Sequence, residues 1–427
     1  AVVRRSRGVA ERCSWTDGIE GIEGATGSGR RGRSALRLSS HGSATLGKRM
    51  SIRIPFNKPA LRGKELDYIA QAVSLGHLSG DGRFTKDCER LLEEEAGAGR
   101  ALLTTSCTDA LEMAALLLDI REGDEVIMPA FTFVSTANAF VLRGARPIFA
   151  DIRADTLNID ENRIEELVTS RTKAIVVVHY AGVSCEMEPI QAVARKHRLV
   201  VIEDNAHGLF GRYRGKPLGS FGELATLSFH ETKNITCGEG GSLLVNDSSL
   251  VERAEILREK GTDRSRFFRG QVDKYGWVDL GSSFLPSDLL AAFLLAQLED
   301  RSAIQGRRRD LWHRYQAGLA RWASGNGVAL PFVPAHCDQA FHMFFLVMPT
   351  LGARERLIDH LRRAGILAVF HYLPLNRSVM ARQLGCERSC PVVEDISDRL
   401  VRLPFFPALT DDEQGEVLDA VMAAPIA

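Results

Sequence analysis

The chain has 427 residues and a mass of 47.0 kDa, enough to bury a large core shared between two domains. Its 54 basic and 54 acidic residues cancel, which argues against nucleic acid or an anionic membrane as a partner. No apolar run approaches the ~20 residues of a membrane span. Eight scattered cysteines form no CxxC pair, so reduced thiols in a cytoplasmic protein are expected rather than a metal site.

Residues 1–50 carry many arginines, glycines and serines and no periodic apolar pattern. They read as a disordered basic extension without the apolar core of a secretory signal. From residue 64 to 98 the pattern is helical, with Leu66, Ile69, Ala70 and Val73 on one face. The glycine-rich stretch 75–82 is expected to interrupt it as a loop lying over a site. A short strand over 101–105 leads into Ser106-Cys107-Thr108-Asp109, which opens an apolar helix over 110–118.

Strand and helix then alternate. Strands are expected over 126–129, 147–152, 174–179 and 199–204, and helices over 136–143, 160–167 and 187–197. The near-continuous valine and isoleucine runs suit parallel strands covered on both faces. This alternation predicts an α/β fold with a doubly wound, mostly parallel sheet. After a strand at 243–245 come long helices over 248–260 and from 287 to about 323. The remainder reads as a smaller α+β domain, with strands at 328–332, 343–348 and 367–371 and helices over 354–364 and from 411. The expected division is 51–300 for the large domain and 301–427 for the small one.

In an open parallel sheet, ligands bind at the carboxyl ends of the strands, and polar groups recur there. Asp204 closes Leu-Val-Val-Ile-Glu-Asp, as a helix cap, a structural ion pair or the partner of a bound cation. Ser106 to Thr108 begin a helix, as a plain cap or as an anion seat. Phe133 follows a strand, as core or as an aromatic face. His207 lies three residues past Asp204. Lys233 ends Ser228-Phe-His-Glu-Thr-Lys and precedes Gly238-Glu-Gly-Gly, as a surface residue or as a buried amine for carbonyl chemistry. Taken together, they supply an amine, a carboxylate, a helix start and a flat ring. Pyridoxal 5'-phosphate (PLP) needs that set.

The chain resembles the DegT/DnrJ/EryC1/StrS sugar aminotransferases, and within them the dTDP-4-amino-4,6-dideoxygalactose transaminases. The likeness runs from about Ile54 to Phe406. It is carried by Leu-Ser-Gly-Asp-Gly (78–82), Ser-Cys-Thr (106–108), Phe-Thr-Phe-Val-Ser-Thr-Ala-Asn-Ala-Phe (131–140), Ser-Phe-His-Glu-Thr-Lys-Asn (228–234) and Gly-Glu-Gly-Gly (238–241). The stretches 260–275 and 369–375 are the most specific to the subgroup.

The resemblance implies a fold-type I enzyme in which Lys233 is the covalent anchor of PLP and its proton shuttle. Asp204 pairs with the ring nitrogen, Phe133 stacks on the ring, and Ser228 with Ser106, Cys107 and Thr108 holds the phosphate. His207 stands where Gln is common and faces the ring hydroxyl. Ser283 stands where many members carry an Asn that reaches the cofactor of the partner in a homodimer with shared active sites. Asn205 and Asn376 also depart from the usual Ala and His, and the loop from Lys233 to Gly238 is one residue short.

The implied reaction takes an amino group from L-glutamate, releasing 2-oxoglutarate, and delivers it to a nucleotide-linked 4-keto-6-deoxy sugar. A 3-keto sugar nucleotide aminotransferase and a catalytically silent PLP-binding regulatory protein remain open alternatives.

Overall fold

In the computed structural model, which describes residues 51–426, the apolar runs of the first half become one seven-stranded sheet. The extension expected over 1–50 lies outside the described residues. Helices α1 (Glu65–Leu75) and α2 (Arg83–Ala96) precede β1 (Arg100–Thr104) and α3 (Cys107–Leu117). There follow β2 (Glu125–Pro129), α4 (Val134–Val141), β3 (Arg146–Ala150), β4 (Thr172–Val178), α5 (Met187–His197) and β5 (Val200–Asp204). A small hairpin, β6 (Arg212–Tyr213) and β7 (Lys216–Pro217), leads to β8 (Leu224–Ser228) and β9 (Gly241–Val245).

The spatial order is β1-β9-β8-β5-β4-β2-β3. Strands β3, β2, β4, β5 and β8 are parallel. Only β9 runs against its neighbours, pairing antiparallel with both β8 and β1.

Alternation along each strand explains the two covered faces. Leu102, Val126, Met128, Val176, Ile202 and Leu243 enter one core with α3 and α4. Their neighbours Ala101, Leu103, Ala225, Leu227 and Leu244 pack on α2 and α8 (Asp288–Glu299). Ile127, Ile175, Val177 and Val201 pack on α5. Successive side chains point to opposite faces, so a strand apolar at every position must be covered twice.

Beyond β9 lie α6 (Val251–Arg258), α7 (Arg264–Phe268), α8 and α9 (Arg301–Gly325). The last hundred residues add β10 (Cys337–Asp338), β11 (Phe345–Val347), α10 (Leu351–Arg363), α11 (Val379–Gln383), α12 (Pro391–Arg399), β12 (Leu400–Arg402) and α13 (Asp411–Met422). A second core joins Leu311, Tyr315, Phe344, Leu346, Leu361, Val401 and Val417. Strand β12 pairs antiparallel with β11 at its centre.

Several expectations are corrected. The stretch 160–167 forms two 3-10 turns, Glu161–Arg163 and Glu165–Leu167, rather than a helix. Eight residues without tertiary cover on a full face do not sustain an α-helix. The segments 328–332 and 367–371 make isolated bridges, Ala329 with Val347 and Val369 with Arg402, in place of strands. The glycine-rich stretch 75–82 does separate α1 from α2, with Gly76 at φ 71°. It packs against residues 285–288, where Asp288 accepts from the Thr85 amide at 2.8 Å, and is absent from the lining of the main cavity. Leu66 and Val73, read as sharing one apolar face of α1 with Ile69 and Ala70, are 69% and 55% exposed, so that face is not covered within the described residues. Among the described residues no helix is long and apolar enough to cross a membrane.

Candidate active site

β1, β2, β4, β5 and β8 all end at one edge of the sheet, and β9 begins there, Gly241 lying opposite both Thr104 and Ser228. Above this edge is a cavity of about 730 Å³ closed on its far side by residues of the C-terminal segment, among them His342, His371, Tyr372 and Arg402. Of the residues singled out in the sequence, Ser106, Cys107, Thr108, Phe133, Asp204, His207, Ser228 and Lys233 all line it. Ser283 does not. It is exposed and bridged to Glu259.

The first turn of α3 forms one wall. Ser106 caps it, its hydroxyl accepting from the Asp109 amide at 3.1 Å. The amides of Cys107 and Thr108 have no acceptor within the helix, and the Thr108 hydroxyl donates to Ser135 at 2.8 Å. Burial, then the nearby Asp204 charge, pushes the Cys107 thiol up to about 12. It is therefore protonated at neutral pH. A Cβ at Gly241 would come within 2.3 Å of the Ser106 backbone, so only glycine lets β9 start against this turn.

Asp204, at the tip of β5, is 5% exposed. One carboxylate oxygen accepts from Thr136 Oγ1 at 2.7 Å and the other from the Ala206 amide at 3.3 Å. Thr136 in turn accepts from Thr132 at 2.7 Å. Burial raises the Asp204 pKa, against the lowering by Thr136, Lys233, the Ala206 amide and His179. The anion here is short of a cation.

Beneath it, Glu203 is satisfied completely. It accepts from the amides of Gly219, Phe221 and Gly222 at 2.8, 2.7 and 2.8 Å and from His179 Nε2 at 2.9 Å. His179 Nδ1 accepts from the Cys185 amide at 3.1 Å, which fixes its tautomer.

Lys233 stands in the loop after β8, its amide donating to His230 O at 2.9 Å. Burial lowers its pKa and Arg402 lowers it further, while Cys107 and Asp204 oppose them. The next residue, Asn234, is clamped: its side-chain amide donates to Ala340 O at 2.6 Å and Gln305 at 3.0 Å. Its oxygen must then accept from His342 Nδ1 at 2.8 Å. His342 stacks on His207, ring centres 4.2 Å apart. His207 Nε2 is 3.3 Å from the Tyr372 hydroxyl, while its Nδ1 is buried without a protein partner. Phe133, at the start of α4, faces the cavity 56% exposed, its ring 6.3 Å from that of Tyr372.

The sequence profile of the DegT/DnrJ/EryC1/StrS aminotransferase family matches residues 59–422. The chain belongs to the DegT/DnrJ/EryC1/StrS aminotransferase family. It is therefore a PLP-dependent sugar aminotransferase of fold-type I. Among family relatives, GDP-perosamine synthase from Caulobacter vibrioides is 36% identical over 87% of this chain and 97% of its own. The spore coat polysaccharide biosynthesis protein SpsC of Bacillus subtilis is 33% identical over 86% of this chain and 96% of its own. Spr1654 from Streptococcus pneumoniae, solved in PMP and PLP forms, superposes in the PMP form with a TM-score of 0.81 at 27% identity, covering 86% of this chain and 98% of that one.

Three features of the cavity fit the family cofactor: the under-compensated Asp204 carboxylate, the open amides beside Gly241, and the orphaned His207 nitrogen. Asn376 and Asn205, the other positions expected to depart from the family pattern, are not among the residues lining the cavity. Asn376 is buried and donates to Arg388 O and Glu394, and Asn205 donates to Leu218 O. The loop from Lys233 to Gly238 closes on itself through Thr236 and Cys237, both bonded to Phe229 O. Thr136, His342, Tyr372 and Arg402 were not singled out as site residues. Each reaches the cavity through packing between distant segments.

Proposed function

We propose that this chain transfers the amino group of L-glutamate to the C4 carbonyl of a nucleotide-linked 4-keto-6-deoxy sugar. The specific conversion is dTDP-4-dehydro-6-deoxy-D-glucose to dTDP-4-amino-4,6-dideoxy-D-galactose. The convergence of Lys233 and Asp204 on one cavity carries the reading. When bound, PLP supplies an electron-withdrawing ring that relays the amino group between the two substrates.

The chain's own residues divide the remaining work. Lys233 would anchor the cofactor and move the proton at the reacting carbon, and its lowered pKa favours the free amine that such a role needs. With the cofactor bound, Asp204 would hold a proton on its ring nitrogen, Phe133 would cover the ring, and His207 Nδ1 would be the partner for its hydroxyl. Ser106, Cys107, Thr108 and Ser228 seat the phosphate. Ser283 reaches the partner's site in a homodimer, which the exposed Leu66, Val73, Phe268 and Trp277 support. We take 51–300 as the cofactor domain and 301–427 as the domain that closes over it, in a cytoplasmic enzyme whose described cysteines are free thiols. The name of the Bacillus relative supports a role in surface polysaccharide biosynthesis.

Borohydride reduction followed by mass spectrometry should find a pyridoxyl adduct on Lys233, and its absence there ends the assignment. Product analysis by NMR with dTDP- and GDP-linked 4-keto sugars and with 3-keto sugars tests the acceptor, since one relative is named for a GDP-linked sugar. If L-glutamate aminates the cofactor but the dTDP 4-keto sugar is left unconverted, the acceptor is wrong and the transaminase stands.

A further inference from the structure

A lysine that anchors a cofactor and is then released must be recovered at the same place on every turnover. Its four-carbon stem is flexible, so the backbone that carries it has to be fixed. Asn234, the next residue, is 7% exposed and is absent from the lining of the cavity on whose wall Lys233 stands. Its side chain is bonded instead to α9 and to the segment 340–342. Nδ2 donates to Ala340 O at 2.6 Å and to Gln305 Oε1 at 3.0 Å, and Oδ1 accepts from His342 Nδ1 at 2.8 Å. Gln305 closes the circuit by donating to Ala340 O at 3.0 Å, which uses both lone pairs of that carbonyl.

The segment 340–342 is itself held in a form that the chain does not favour. Phe341 has φ 50°, in the left-handed region that a Cβ makes unfavourable. Arg308 of α9, 1% exposed, donates through Nε to Phe341 O at 2.9 Å and through Nη2 to His342 O, and its guanidinium lies 4.9 Å from the centre of the Phe405 ring. Burial, with no carboxylate among the described residues to offset it, lowers the Arg308 pKa to about 9. A buried cation bonded to two successive carbonyls is a costly fixture, and it suits a segment whose placement matters. On the other side, the Ala340 amide donates to Gly182 O, just past β4, at 2.9 Å.

We infer that Asn234 is a positioning residue for Lys233: it ties the lysine loop to the segment 340–342, which Arg308 and Gly182 hold, and so returns the amine to one place in the cavity. The inference rests on the reading of Lys233 as PLP anchor given above. The loop's own hydrogen bonds cannot do this. Lys233 N to His230 O, and Thr236 and Cys237 to Phe229 O, shape the loop without fixing it to the rest of the chain. A tie from Asn57 Nδ2 to Glu231 O at 3.0 Å is open to water. The segment 340–342 also carries the His342 ring that stacks on His207, centres 4.2 Å apart, so Lys233 and His207 share one support.

The test uses the full-length PLP-loaded protein. Equilibrium dialysis reports PLP retention, and visible circular dichroism reports how the bound PLP is held. Single-turnover absorbance with L-glutamate separates the rate at saturation from the concentration needed. Asn234→Ala leaves buried groups without partners, so PLP should dissociate about 10- to 100-fold more readily. The visible signal should weaken and the saturated rate fall, with the L-glutamate requirement unchanged because Asn234 does not reach the cavity. Two changes at His342 separate the hydrogen bond from the ring, and they report in place of Asn234→Ala if that variant does not fold. His342→Asn keeps a donor near the Nδ1 position and should retain PLP nearly as the unmodified protein does. His342→Phe keeps the ring without the donor and should lose PLP as Asn234→Ala does. An Asn234→Ala protein that melts earlier yet retains PLP and its visible signal has lost only stability, which overturns the inference, as does equal loss in both His342 variants. If the unmodified protein holds PLP but no amino acid aminates it, the retention measurements still decide the role of Asn234, and the transaminase reading alone fails.

Discussion

At Asp204 two opposed effects meet on one carboxyl: burial raises its pKa, and the Thr136 hydroxyl lowers it through a 2.7 Å hydrogen bond. Thr136→Val keeps the shape and removes the donor. A hydrogen bond to a charged group contributes about 1.5–3 kcal/mol, so PLP should dissociate roughly 10- to 100-fold more readily, as measured by equilibrium dialysis, with the fold intact by circular dichroism. At Lys233 the direction is downward, because burial and Arg402 both disfavour the ammonium. The amine acts unprotonated, so the rising limb of the pH–rate profile of the donor half-reaction should lie below the usual lysine range near ~10.4. Lys233, Asp204 and the Ser106 turn were legible in sequence because each closes or follows an apolar strand at a ligand-binding edge. Thr136 and Arg402 were not. A threonine inside an apolar helix and an arginine in a short late strand carry no local mark of what they will face once packed.

Elements, rather than single residues, hold the cavity's roof. His207 follows β5, His342 precedes β11 and His371 lies before the 3-10 turn Leu375–Arg377, yet the rings of His342 and His371 lie 4.2 and 6.1 Å from that of His207. Burial pushes each pKa well below that of an ordinary histidine. Each is neutral when folded, whereas the unfolded chain protonates near pH ~6.5. The unfolded state then binds more protons, so stability is kept above pH ~6.5 and falls below it, by up to ~1.4 kcal/mol per pH unit for each ring. Denaturation midpoints measured from pH 8 to pH 5 should decline below 6.5, and His342→Asn should flatten that decline. The strand–helix alternation of the large sheet was readable from its apolar runs, apart from the 160–167 segment, which turned out as two 3-10 turns. Of the short pieces in the C-terminal half, β11 fell within the strand expected at 343–348, whereas β10 and β12 were not readable, because strands of two or three residues have no period to detect. Element contact also explains Gly241. Gly241→Ala places a methyl against the Ser106 backbone, and such overpacking costs ~1–3 kcal/mol, measurable as a lower urea midpoint together with weakened binding of PLP.

For the whole molecule, the exposed apolar surface is the feature a lone chain leaves unexplained. Leu66 and Val73 on α1, Phe268 at the end of α7 and Trp277, which is 82% exposed, present large side chains to water. Large apolar side chains that find no cover within their own chain suit a self-associating surface. Sedimentation should give a dimer, and the double change Leu66→Asp with Trp277→Asp should shift it toward monomer while the large sheet remains folded by circular dichroism.

The lone reversed strand β9 carries one more consequence, for the order in which the chain assembles. Among the described residues strand β1 has no sheet partner other than β9, and everything from β2 to β8 is made between them. Closing so long a loop is entropically unfavourable and slow, so the β1 edge and the Ser106 turn behind it should form late. A ligand gripping that turn then acts as a clasp on the last-docked edge, stabilising the folded state by mass action. Newly made protein short of its vitamin-derived cofactor would be most vulnerable to proteolysis at this seam.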